Sequence, residues 1–128
     1  MAHETAKVGA VSEQLAVAIL MANGWDVNIP VAVEAYDLIA EDPEDKRLKR
    51  IQVKTVKVRK DAGNKGQLVI KGVKSSGKVY TEDEAHYLAG LYGTYLFLVP
   101  NTGQTEYAAK DATQACKKWR TLTLDKRN

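Results

Sequence analysis

Cysteine is nearly absent from this chain. Cys116 is the single one among 128 residues, so no disulfide can form within the chain, and neither a paired-cysteine zinc site nor a CxxC redox motif can be built. That composition fits a reducing, cytoplasmic setting. Long apolar runs are lacking too: the longest, Leu15 to Ala22, is far too short to cross a bilayer. The start, Met1-Ala2-His3-Glu4, has neither the basic nor the apolar stretch of a secretory signal. Neither export nor membrane insertion is expected.

Acidic residues are missing from one stretch. Between Lys46 and Lys78 there are 12 Lys and Arg against one acid, Asp61, a local balance of +11, while the rest of the chain carries −8 and the whole only +3. A surface facing a polyanion would have this split. So would a lysine-rich hairpin kept in solution by its charge.

What is present describes an ordinary folded unit. The length suits a single domain, over residues 1–128, with one core. With 45% hydrophobic and 27% charged residues, the chain lies well away from the composition of disorder.

Thr5 to Asn23 reads as a helix stopped by Gly24. Its second half, Leu15 to Ala22, is apolar on every side, which predicts a helix packed inside the fold. Trp25 to Ile29, Ala35 to Ala40 and Ile51 to Val58 read as strands. The polar stretch Glu41 to Lys46, with Pro43 at its middle, joins the last two as an antiparallel hairpin. Asp61 to Gly66 is a flexible link to a strand over Gln67 to Val73, and Ser75-Ser76-Gly77 marks a further loop. Thr81-Glu82-Asp83-Glu84 has the form of a capping box and predicts a helix from Glu82 to about Leu91. Thr94 to Val99, apolar between Gly93 and Pro100, predicts a strand covered on both faces. A last helix is expected over Asp111 to Arg120. Trp25 and Trp119 are expected in the core. This order gives an α/β layer with a mixed sheet.

Within the strand from Ile51, alternation sends Ile51, Val53 and Thr55 to one face and Gln52, Lys54 and Val56 to the other. Asp37 is set among Tyr36, Leu38 and Ile39, where a carboxylate needs a partner or a metal. Hairpin pairing brings Asp37 beside Gln52 and Lys54. A carboxylate, an amide oxygen and the carbonyl of Val53 are suitable ligands for a hard cation, Mg²⁺ or Mn²⁺. A lysine beside the ion can orient a water for in-line attack on a phosphodiester. The basic stretch begins close by, and Lys57, Arg59, Lys60, Lys65, Lys71 and Lys74 are the candidates for holding a DNA backbone.

The chain resembles the PD-(D/E)XK nuclease superfamily. Four pieces carry the likeness: Gly9-Ala10-Val11-Ser12-Glu13, Gly24-Trp25-Asp26-Val27 leading to Pro30, Tyr36-Asp37-Leu38-Ile39, and Ile51-Gln52-Val53-Lys54-Thr55. The resemblance implies a restriction-endonuclease-like αβββαβ core with a mixed central sheet flanked by helices. It assigns Glu13 to the helix glutamate, Asp37 to the metal aspartate, Gln52 to the second metal ligand and Lys54 to the lysine. The segment from Tyr80 to Pro100 looks like the small homing-endonuclease and junction-resolvase branch. Double-stranded DNA is the implied substrate, and since one chain offers one site, a homodimer or higher oligomer is implied for cutting both strands. The usual acid before the lysine is Gln52 here, an oxygen without a charge, although some superfamily members carry this Q-x-K form. Two readings stand side by side: a metal-dependent DNA endonuclease, or a non-cutting DNA-binding or assembly module that keeps the fold. An RNA-binding domain is a third, without the aromatic stacking pattern of the usual modules.

Overall fold

A computed structural model describes residues 2–125, with side chains from Lys7 onward. Helix α1 (Ala2–Ala22) ends at Gly24, whose φ of 87° is a conformation that suits glycine. Asn23 ties that end to the far edge of the sheet, its Nδ2 donating to the carbonyls of Ile19 and Thr123, each at 2.8 Å. The helix lies on the sheet and is not enclosed as predicted. Ala16, Ile19 and Leu20 are buried, but Met21 is 61% exposed. An apolar run looks internal from sequence; here Ala18 and Ala22 fill much of the outer face and leave little apolar surface to hide.

The described residues form nine strands: β1 (Asp26–Asn28), β2 (Leu38–Glu41), β3 (Leu48–Thr55), β4 (Lys57–Val58), β5 (Leu68–Lys71), β6 (Tyr87–Tyr92), β7 (Tyr95–Pro100), β8 (Glu106–Ala109) and β9 (Arg120–Thr123). They make a six-stranded sheet in the order β1-β2-β3-β6-β7-β9 and a three-stranded sheet in the order β4-β5-β8. Every pairing of these strands is antiparallel except that of β3 with β6. Helix α2 (Ala112–Lys118) joins β8 to β9, and its N-cap Asp111 accepts the Gln114 amide at 2.9 Å.

The two faces of the large sheet are covered by different elements. Helix α1 packs its buried residues against Leu38, Ile51, Val53, Ala89, Leu96 and Leu98. The small sheet and α2 cover the other face, where Leu68, Ile70, Leu88, Phe97, Val99 and Trp119 form a second cluster. Strand β7 therefore sends Leu96 and Leu98 to one core and Phe97 and Val99 to the other, as expected for a strand buried on both sides. Each such side chain contributes roughly 1.5–3 kcal/mol through removal from water. Trp25 and Trp119 are both buried, one in each cluster.

The helix predicted over Glu82 to Leu91 is a single turn followed by β6. The capping-box bonds do form: the Thr81 N–H reaches Glu84 Oε1 at 3.0 Å and the Glu84 N–H reaches Thr81 Oγ1 at 3.2 Å. The turn stops because the His86 N–H donates to the Arg50 carbonyl and opens the pairing with β3. Its stranded carbonyls are satisfied from elsewhere, Nδ2 of buried Asn101 donating to those of Tyr80, Thr81 and Ala85 at 3.0 Å each. Gly90 then lies against β5, where a β-carbon would come within 2.4 Å of Ile70 Cδ1.

The β2–β3 hairpin forms as predicted, with Leu38 opposite Ile51. Its turn is anchored by Asp42, which is buried and held in a two-pronged ion pair by Arg120 of β9 at 2.8 and 3.1 Å. The long strand expected from Ile51 to Val58 is divided. The chain leaves the large sheet at Val56 and enters the small one as β4.

Candidate active site

The site lies where β2 parts from β3. At Ile51 the two strands are still joined, the Asp37 N–H donating to the Ile51 carbonyl at 2.9 Å. Two residues further, Val53 presents its main-chain groups on the same edge, but β2 has no residue there to meet them. The Asp37 side chain takes the place of a strand partner, Oδ2 accepting the Val53 N–H at 2.9 Å. The Val53 carbonyl is left outside the ladder and accepts a long contact, 3.4 Å, from the Gln52 side-chain amide. Turning that amide over would set its oxygen beside the carbonyl oxygen, giving two hard ligands next to Asp37.

Register places the remaining side chains. Leu38 and Ile51 pair and are fully buried, so Asp37 and Gln52, one step along each strand, share the opposite face. Lys54 comes next on that face. Its ammonium donates to the Val73 carbonyl at 3.0 Å and stands 5.0 Å from the centre of the Tyr80 ring. Glu13 approaches from α1, and with Tyr36, Asp37 and the 29–34 loop it borders a cleft of about 260 Å³. One turn of helix α1 is fixed to the strand by a 2.8 Å bond between the hydroxyls of Ser12 and Thr55.

These groups are taken partly out of water, and their acidities respond. Burial pushes the Asp37 carboxyl above its ordinary range, although the Val53 amide and Lys54 both pull it down. Glu13 is raised by burial and by the charge of Asp37. The Lys54 ammonium is lowered by burial, with Lys57 adding to the effect and Asp37 opposing it. Two partly buried carboxyl groups that resist ionisation on one cleft form a place where a cation is welcome.

The structure thus brings Glu13, Asp37, Gln52, Val53 and Lys54 together. The residues expected to hold DNA do not gather in the same way. Arg59 and Lys71 both pair with Glu106, at 2.6 and 3.1 Å, and Lys74 pairs with Glu84. Lys57, Lys60 and Lys65 stay exposed, and Lys57 lines a groove together with Lys54.

Tyr80 is the site residue that sequence reading did not single out. It is buried beneath Lys54, and its phenol is pushed up by burial and by the charges of Asp37 and Glu84. No periodicity in the sequence connects it with Lys54; the link is made by the 72–80 hairpin folding back over β3, closed by the Tyr80 N–H to the Gly72 carbonyl at 3.0 Å.

Residues 3–88, from α1 into β6, match the PD-(D/E)XK endonuclease family. The chain belongs to that family. The match spans Glu13, Asp37, Gln52, Val53, Lys54 and Tyr80 alike. A bacterial homing endonuclease of known structure has the same fold, with a TM-score of 0.58 and 18% identity over 79% of this chain and 71% of its own. No curated protein matches the chain. The mixed sheet with α1 on one face and α2 on the other is therefore a restriction-endonuclease-like fold.

Among the described residues no group of three or more His, Cys, Asp and Glu side chains is placed to hold a metal ion. The donors on offer are all oxygens: the Asp37 carboxylate, the Gln52 amide, the Val53 carbonyl, and Glu13 behind them. That set fits Mg²⁺ or Mn²⁺, which take oxygen ligands and retain several waters.

Proposed function

We propose that this chain hydrolyses phosphodiester bonds in double-stranded DNA at the Asp37–Lys54 site, using a divalent cation. The observation that supports it best is the parting of β2 from β3, which leaves the Val53 carbonyl outside the strand ladder, beside a carboxylate and a half-buried lysine. Asp37, Gln52 and the Val53 carbonyl would hold Mg²⁺ or Mn²⁺, which when bound supplies charge to offset that developing on the phosphoryl oxygens. Asp37 keeps its ligand geometry through the Val53 N–H. Lys54 is positioned by the Val73 carbonyl and the Tyr80 ring, and burial lowers its pKa, which favours its part in proton transfer with an attacking water. Glu13 supplies the negative charge that Gln52 lacks. One chain carries one such site, so cutting both strands calls for a homodimer or higher oligomer.

A second reading has its own support. Gln52 brings no charge and the metal donors include few acids, as in a DNA-binding or assembly module that kept the fold and lost turnover. Supercoiled plasmid separates the two. Nicking that needs Mg²⁺ or Mn²⁺ and stops with EDTA is expected of the nuclease; intact plasmid at saturating protein and either metal would favour the module.

A further inference from the structure

Helix α1 turns Ser12 toward Thr55 and Glu13 toward the cleft of Asp37. Gly9 lies three and four residues before them, so it occupies the same face one turn nearer the helix start. There the helix stands away from the sheet. Among the described residues a β-carbon on Gly9 would meet nothing within 4 Å, and between α1 and the strands a groove of about 510 Å³ opens beside Gly9 and Ser12. Among the described residues the charged ones lining it are all lysines, Lys54, Lys57 and Lys71. Lys71 is engaged by Glu106 and Lys54 by the Val73 carbonyl, while Lys57 is exposed on β4.

Glycine is the poorest helix former after proline. Here it interrupts a helix at a point where no described neighbour would crowd a side chain. The groove also shares Val53 and Lys54 with the cleavage site, so whatever fills it continues from the reacting phosphate. Its charge selects an anion, and its volume of about 510 Å³ holds more than a small ion.

We propose that this groove carries the sugar–phosphate backbone of the strand being cut, with Lys57 pairing to a phosphate beside the scissile one and Gly9 keeping α1 clear of the backbone. The inference rests on the nuclease reading and adds the path of the strand. It gives Gly9 a role in access, separate from the metal ligands and from Lys54.

The test is binding of a short duplex by fluorescence anisotropy with Ca²⁺ in place of Mg²⁺, together with thermal melts, for wild type, Gly9→Ala, Gly9→Leu and Lys57→Ala. Both Gly9 variants are expected to melt above wild type, because alanine and leucine favour helix. Gly9→Leu should nevertheless bind at least about fivefold more weakly, because backbone contacts that position the strand are blocked, while Gly9→Ala loses little. Lys57→Ala should flatten the dependence of log affinity on log salt by about 0.9. A well-folded Gly9→Leu protein that binds like wild type, or an unchanged salt slope in Lys57→Ala, overturns the proposal. Binding with this pattern but no plasmid nicking would keep the groove and remove the nuclease reading; no duplex binding by wild type would overturn both.

Discussion

Asp37 accepts the Val53 N–H and faces Lys54, and both favour its charged form, yet burial outweighs them and its carboxyl titrates above the ordinary 3.8. Glu13, with an ordinary value of 4.5, is raised as well. The stability these two acids contribute is fully present below their ordinary values and is lost as pH rises through the raised ones. Lys54 runs the opposite way: its contribution is present above 10.5 and is lost as pH falls through its lowered value. At neutral pH all three work against the metal-free fold. Asp37→Asn keeps an acceptor for the Val53 amide and removes one charge. It should abolish cleavage while raising stability in EDTA at pH 7 by about 1 kcal/mol, roughly 3 °C in Tm, with the gain shrinking as pH is lowered toward 4. Melts of wild type and variant across that range check it, and a lower Tm for the variant at pH 7 would contradict the sign. Gln52→Glu adds charge at the ion and should tighten Mn²⁺ binding in calorimetric titration; equal or weaker affinity would remove Gln52 from the ligands. Much of this site is legible in the sequence, because strand alternation alone puts Gln52 and Lys54 on one face and a hairpin brings Asp37 to them. The place of Tyr80 is not legible, since it depends on a hairpin that folds back over β3.

At the scale of elements, the least legible segment is 81–92. The capping box is real, but its hydrogen bonds define one turn and say nothing about the next. Beyond that turn tertiary structure decides: β6 has to lie between β3 and β7, and the His86 amide starts that pairing as soon as the turn ends. Gly90 was the available signal, since glycine inside an apolar run marks a close approach, and here the approach is that of Ile70 from the small sheet. Gly90→Ala forces Ile70 and Val56 aside and is expected to cost about 1–3 kcal/mol by overpacking, read from urea denaturation. Unchanged stability would mean that the two sheets are less tightly apposed. The β2–β3 hairpin and β7 were legible because their patterns depend only on local alternation and punctuation. The division of the predicted strand at Val56 was not, because a strand that changes sheets keeps the same alternation.

Across the whole molecule, the +11 stretch seen in the sequence is partly neutralised by folding, through Glu106 and Glu84. Arg59, Lys71 and Lys74 are thereby tied within the protein, and of the residues expected to hold DNA, Lys57, Lys60 and Lys65 stay exposed. A linear count of charge could not anticipate this, since both acids come from segments outside the basic stretch. On the proposed reading binding and chemistry are separable: affinity for DNA would be spread over several exposed lysines, whereas cleavage would depend on one half-buried amine. The most direct measurement is single-turnover cleavage of a duplex by wild type and Lys54→Ala in Mn²⁺, with affinity measured in parallel in Ca²⁺ and folding by thermal melt. The expected result is a loss of cleavage of at least about 100-fold, the usual scale for removing a positioned proton-transfer group, with DNA affinity and fold nearly intact. Cleavage by Lys54→Ala at the wild-type rate would contradict the assignment of the active site.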